Sequence, residues 1–290
     1  MIYRNKTFNQ YLAMPGLNSS TIKPYSISPR YGFWKESKVY DQSGALKIGH
    51  LVHSGALEGD AALIKSIEKE HIISGYPIND STGKPYGKGT VKFKEWYADQ
   101  DQSKDVIYPD ELEKAKKIIS FIRQHDATMS VLSKCSEREL IVTWKCQYTG
   151  MNCKAMIDAC GPGIGFDLKT TRLDLFTNKL EREMYERQYH MQFSFYADGL
   201  HANGIDPDVF YAGFAQNQEP YDIGCFEINY TALEQGRTDY IKAIANYHKA
   251  RNEGPNKTGN FPKITQLGIP YYAVEQDEES FSNEIEETFK

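Results

Sequence analysis

Met156-Ile157-Asp158, followed by Gly165-Phe166-Asp167-Leu168-Lys169-Thr170-Thr171, is the stretch that decides how this chain is read. Its two aspartates lie nine positions apart, and a lysine follows the second at i+2. Side chains at i and i+2 of a strand point to the same face, so Asp167 and Lys169 project together. Between the aspartates stands Gly161-Pro162-Gly163. If that turn folds the chain back, Asp158 on the neighbouring strand meets the pair. Two acids and one amine around one point suit divalent-metal hydrolysis of a phosphodiester. Hard Mg²⁺ takes oxygen ligands and one or two protein carboxylates, keeping the rest of its shell for water and substrate phosphate. A nearby ammonium orients the attacking water and offsets negative charge. D-x-K alone is common on surface hairpins. The glycine turn and apolar flanks give it weight here.

Outward from this centre the pattern is of strands. Glu139 to Trp144 is one, Thr149-Gly150 a turn, Cys153 to Asp158 the next, and Gly165 to Thr170 the third. One long helix is expected over 174–202, strands over 208–216 and 222–229, and a helix over 231–252. Upstream the chain reads as helical: a short helix capped by Ser19 or Ser20, a second over 43–58, a loop over 72–90, and two more over 90–100 and 110–125. The order predicts an α/β core with a mixed central sheet flanked by helices. A single domain is expected over 1–265, with a helical part at 1–130 and a core at 135–230.

The 290 residues are 40% hydrophobic and 25% charged, ordinary for a globular protein, with 20 Tyr and 14 Phe. There is no apolar run of membrane-spanning length, and five cysteines without a CxxC fit free thiols in the cytoplasm. Cys146, Cys153 and Cys160 lack the closely spaced pairs of an iron–sulfur site. A net charge of −5 argues against a strongly basic nucleic-acid binder, yet residues 275–290 alone carry −6 and leave a near-neutral body. A local basic groove remains compatible with that balance. The acidic segment 266–290 is expected to be a disordered tail.

Around the centre stand further candidates. His53 lies on a helix beside Gly49, although a lone histidine on an apolar face is more often packed than ligating. Glu139 opens the first strand and is a candidate contact to metal-bound water or the terminal nucleotide. Tyr185, Tyr189, Gln192 and Tyr196 follow the i, i+4, i+7, i+11 spacing of one helix face. Basic residues gather here too: Lys134, Arg138, Lys145 and Lys154 near the strands, then Arg172, Lys179, Arg182 and Arg187, as candidate phosphate contacts.

The ordered set His53, Asp158, Asp167-Leu168-Lys169 and Gln192-x-x-x-Tyr196 resembles the PD-(D/E)XK nucleases with a restriction-endonuclease-like core, in the RecB-like branch. More narrowly, Pro15 to Pro29, Gly49 to Glu58, Asp167 to Thr171 and Tyr189 to Gly199 resemble the nuclease domain of RecE-type exonuclease VIII of phages and prophages. The resemblance implies a metal-dependent 5′-to-3′ exodeoxyribonuclease acting on linear double-stranded DNA ends. It implies 3′ single strands handed to a RecT-like annealing recombinase, a ring-like homo-oligomer, and residence in the bacterial cytoplasm away from membranes. It assigns Mg²⁺, replaceable by Mn²⁺, to His53, Asp158, Asp167 and the Leu168 carbonyl. It gives Lys169 the activation of water, and Gln192 and Tyr196 support of the catalytic site or contact with DNA. By their own chemistry and place in the sequence, Glu139, Arg172, Arg182 and Tyr189 are candidate contacts to DNA. Two departures stand out. Ile157 precedes the first acid where a proline often does, and the second acid is Asp rather than Glu. The remaining alternatives are a single-strand or end-trimming nuclease of the same superfamily, and an inactive DNA-binding module on the same fold.

Overall fold

The computed structural model describes residues 1–38 and 44–254. The acidic segment expected at 266–290 and the first residue of the helix expected over 43–58 lie outside them. Met1–Thr258 forms one compact unit. No helix among the described residues is long and apolar enough to cross a membrane.

The centre is a six-stranded mixed sheet. Its strands are β1 (Ile2–Tyr3), β4 (Glu137–Lys145), β5 (Asn152–Gly161), β6 (Ile164–Thr171), β7 (Val209–Gln216) and β8 (Ile223–Glu227), in the order β1-β4-β5-β6-β7-β8. Every pairing is antiparallel except β6–β7. A parallel neighbour needs a crossover connection, and α9 (Thr177–Glu186) and α10 (Tyr189–His201) supply it. The β5–β6 connection is the Gly161-Pro162-Gly163 turn. Gly163 has φ +72°, and proline followed by a positive-φ glycine is the sequence of a type II turn.

Helices cover both faces. On one, α10, α11 (Tyr230–Glu253) and α2 (Ser19–Ile27) bury Phe193, Phe195, Tyr240 and Ile22 against Leu140, Val142, Ala155 and Ile157. On the other, α4 (Gly44–His53), α7 (Pro109–Gln124) and α8 (Asp126–Lys134) bury Leu51, Ile118, Ile122 and Leu132 against Phe166, Leu168 and Ala215. Helix α7 shows why these residues make a helix: Pro109 at the first position, Asp110 and Glu111 in the first turn, and Ala115, Ile118, Ile119 and Ile122 along one buried stripe.

The remaining elements are α1 (Phe8–Ala13), α3 (Pro29–Glu36), a π-helical turn (Ser54–Glu58), α5 (Asp60–Glu70), α6 (Val91–Ala98) and a two-stranded sheet of β2 (His71–Ile72) and β3 (Asp105–Val106). Two expectations need correction. Helix α2 is capped by Asn18, whose Oδ1 accepts the Thr21 N–H at 2.8 Å, and Ser19 and Ser20 are its first two residues. The long helix over 174–202 is two helices, because Gln188 adopts a left-handed φ of +56° between them. Its side-chain amide donates to Ser26 on α2, a tertiary contact that holds the break. Tyr185 therefore belongs to α9 and is exposed, out of line with Tyr189, Gln192 and Tyr196 on α10.

Candidate active site

The site lies where β5 and β6 diverge, beside a local gap in the β4–β5 pairing. The β5–β6 ladder pairs Gly161 with Ile164, Cys160 with Gly165 and Ala159 with Phe166. The next positions in that register are Asp158 and Asp167. There the ladder stops, and Asp158 Oδ2 accepts the Leu168 backbone N–H at 2.7 Å. On the other side of β5, Arg138 pairs with Ala159 and Leu140 with Ile157, which sets Glu139 opposite Asp158. Glu139 has a left-handed φ of +47°, a strained conformation for a residue with a side chain. Alternation breaks at the same level, since Ile157 joins one core and Ala159 the other. Glu139, Asp158 and Asp167 thus form one cross-strand row. Like charges directly opposite each other destabilise a sheet, so a row of three acids needs a compensating cation.

Helix α4 brings His53 to the row, with Nδ1 3.4 Å from Asp158 Oδ2. Among the described residues, His53, Glu139 and Asp158 each offer one ligand atom, and these lie within 4.8 Å of one another. Gly49 does not demand close approach, because a methyl there would meet nothing nearer than Thr170 Oγ1 at 3.4 Å. Asp167 is 1% exposed, and its Oδ2 is ion-paired to Lys169 Nζ without an aligned hydrogen bond. Its Oδ1 accepts from Gln192 Nε2 at 3.2 Å, which also donates to Tyr196 Oη at 2.9 Å.

Lys23 on α2 completes this arrangement without having shown any signal in the sequence. Its ammonium donates to Gln192 Oε1 at 2.8 Å and lies 5.2 Å from the centre of the Tyr189 ring. Lys169 lies at the same 5.2 Å from that ring. A donor on Oε1 fixes which way the amide faces, so Gln192 must present its NH₂ to Asp167 and Tyr196.

Electrostatics follow from burial and the row of acids. Burial first, then Asp158, Glu58 and Asp167, push Glu139 up to about 9. Burial raises Asp167 to about 6; Lys169 opposes that shift and Asp158 adds to it. For Lys169, burial works to lower the pKa, but the Asp167 and Asp158 carboxylates outweigh it and the pKa is raised. Burial and the neighbouring Lys169 bring Lys23 down to about 7. A buried Asp167 oxygen lacking an aligned donor, beside oxygen and imidazole donors gathered at the row, fits a divalent ion.

The site opens into a groove of about 1210 Å³. Arg172 and Tyr189 line it, as do Lys65 and Lys69 of α5 and Arg187 at the end of α9. Arg182 does not; its side chain is 79% exposed and paired with Glu186. Two basic residues offered as phosphate contacts are structural. Arg138 donates to the carbonyls of Leu132, Cys135 and Glu137, closing the end of α8. Lys154 is 4% exposed and donates to the carbonyls of Tyr11, Leu12 and Met14.

Comparison with known proteins gives two findings. Residues 19–261 match the family described as a PDDEXK-like domain of unknown function (DUF3799). The crystal structure of a protein named "Putative exonuclease" from Eubacterium rectale superposes with a TM-score of 0.59 at 15% identity, covering 92% of this chain and 97% of that one. At that identity the likeness speaks for the fold. No curated protein matches the sequence.

Proposed function

The chain belongs to the PDDEXK-like family DUF3799, and on that footing we propose that it is a metal-dependent exodeoxyribonuclease that degrades linear double-stranded DNA from its 5′ ends. The observation that carries the reading is the acid row Glu139–Asp158–Asp167 at the strand fork, with Lys169 beside it and a groove in front. The exonuclease-named neighbour supports the choice of class.

Asp158, Glu139, His53 and Asp167 would hold Mg²⁺, or Mn²⁺ in its place, with the Leu168 carbonyl a further ligand by the resemblance to RecE-type enzymes. Such an ion supplies a Lewis acid at the phosphoryl oxygens and lowers the pKa of water. The protein's own contributions are separate. Lys169 keeps its proton because two carboxylates face it, so it acts as a donor to the scissile phosphate or to the attacking water. Gln192 holds Asp167 in place and is itself held by Lys23. Arg172, Arg187, Lys65 and Lys69 are placed to take backbone phosphates along the groove, positioning the strand without reading its sequence. The 5′-to-3′ polarity, the annealing recombinase as partner and the ring-like assembly rest on the RecE resemblance and belong to the same proposal.

The test is digestion of linear duplex labelled at either end, in Mg²⁺ or in EDTA, beside a covalently closed circle. Early loss of the 5′ label, with metal and on linear DNA alone, is the expected result. Equal cutting of the circle would make the protein an endonuclease. Binding without any cutting would make it an inactive DNA-binding module.

A further inference from the structure

The six-residue helix α1 is held more firmly than its size warrants. A helix this short is not stable alone. At its start, Thr7 Oγ1 accepts from the Gln10 N–H while Gln10 Oε1 accepts from the Thr7 N–H, a reciprocal cap. At its end stands the buried Lys154 ammonium, spending its donors on three carbonyls, with the Tyr11 ring 5.1 Å away. Burying a lysine costs free energy unless it is paired in this way. Lys154 and Asp158 stand four positions apart on β5. The strand that carries the acid therefore also fixes α1.

What α1 presents is apolar and open. Phe8 is 47% exposed and Leu12 49%; they are i and i+4 on one helix face, and both line the groove. The Phe8 ring meets His50 edge-on, with centroids 5.8 Å apart, one helical turn before His53. Lys6 beside them and Lys65 and Lys69 in the same groove offer ammonium groups for phosphate, on a wall that also carries Glu58 and Glu70. An aromatic face among lysines, next to a phosphodiester site, is complementary to a nucleotide rather than to an apolar peptide.

We infer that Phe8, backed by Leu12, is a stacking platform for an unpaired nucleobase at the end of the DNA strand entering the site. The inference rests on the nuclease reading and adds a substrate preference: frayed or unpaired ends over closed ones. Stacking on a rigid ring would hold the terminal base out of the duplex while its phosphate approaches the acid row.

The test measures binding, by fluorescence anisotropy, of the full chain carrying Lys169→Ala in Mg²⁺. The probe is a short duplex with two unpaired 5′ nucleotides, compared with the same duplex abasic at those positions. Removing the bases is expected to weaken binding about fivefold or more. Phe8→Ala should weaken binding to the intact probe by the same factor and become indifferent to the abasic change, while Phe8→Tyr should behave as the parent. Leu12→Ala should show a smaller loss. Phe8 is half-exposed and its ring also meets Tyr11 and His50, so Phe8→Tyr, which keeps the ring, and the thermal melting of each variant separate a stacking loss from a packing loss. If Phe8→Ala binds the intact probe as the parent does, or keeps the full abasic penalty, the platform is refuted while nuclease activity stands. If the wild-type chain cuts no DNA with any label, the nuclease reading fails instead.

Discussion

Glu139 is the residue whose chemistry is most exposed to test. With a pKa near 9 it carries a proton at neutral pH, and Asp167, near 6, is partly protonated below neutrality. A cation needs both as carboxylates. Metal affinity should therefore rise with pH from about 6 to about 9, with protons released on binding. Isothermal titration in buffers of different ionisation enthalpy reads that release directly, and a buffer-independent heat would contradict it. The same shift bears on stability. A carboxyl whose pKa is raised by folding contributes stability below its unfolded value, and loses it as pH climbs through the folded one. Without metal, Glu139→Gln should melt higher than wild type at pH 9 and alike near pH 4. An identical melting difference at both pH values would mean that Glu139 is not shifted.

Lys23 is the instructive miss at this scale. Asp158, Asp167 and Lys169 were legible because strand alternation and one glycine turn set their geometry locally. Lys23 sits 169 positions before Gln192 in an ordinary capped helix, and its role exists only through the tertiary fold. Glu139 was visible as an acid at a strand start. Its place opposite Asp158 needed the register, which the sequence leaves open.

Among the elements, α10 and α11 approach each other closely at Gly236. A methyl on Gly236 would lie 2.2 Å from the His190 carbonyl oxygen and 2.4 Å from Ser194 Oγ. Backbone cannot yield as a side-chain tip can, so the helices would have to separate. Gly236→Ala should cost about 1–3 kcal/mol or more in urea unfolding. It should also lower activity indirectly, since α10 carries Gln192 and Tyr196. A neutral effect on unfolding would mean that the two helices are less closely packed than described. Strands β4 to β6 and β7 to β8 were readable from alternation and turns. The break at Gln188 was not, because neither Arg187 nor Gln188 is a helix breaker and Ser26 holds the turn from another helix. Strand β1, only two residues long, gave no periodic signal at all.

For the molecule as a whole, a net charge of −5 has to coexist with the proposed binding of a polyanion. Lysines and arginines line the groove beside its acids, and on the proposed reading Lys65, Lys69, Arg172 and Arg187 take the phosphates while the acid row takes the metal. DNA binding should then weaken with salt, and Lys65→Ala or Lys69→Ala should each lower the slope of log K against log salt by about 1. Affinity independent of salt would place the DNA elsewhere. The mixed-sheet architecture itself followed from the order of elements. Which surface faces DNA did not, because half the basic residues near the strands prove to be caps, such as Arg138 and Lys154, or paired outside the groove, such as Arg182.

The central claim is that the strand fork bearing Asp158, Asp167 and Lys169 hydrolyses phosphodiesters. Single-turnover cleavage of linear duplex in Mg²⁺, with DNA affinity measured in parallel, tests it most directly. Lys169→Ala should slow cleavage by about 10²–10³-fold with affinity little changed, and Asp158→Asn should abolish it. Wild-type cleavage by either variant would contradict the assignment.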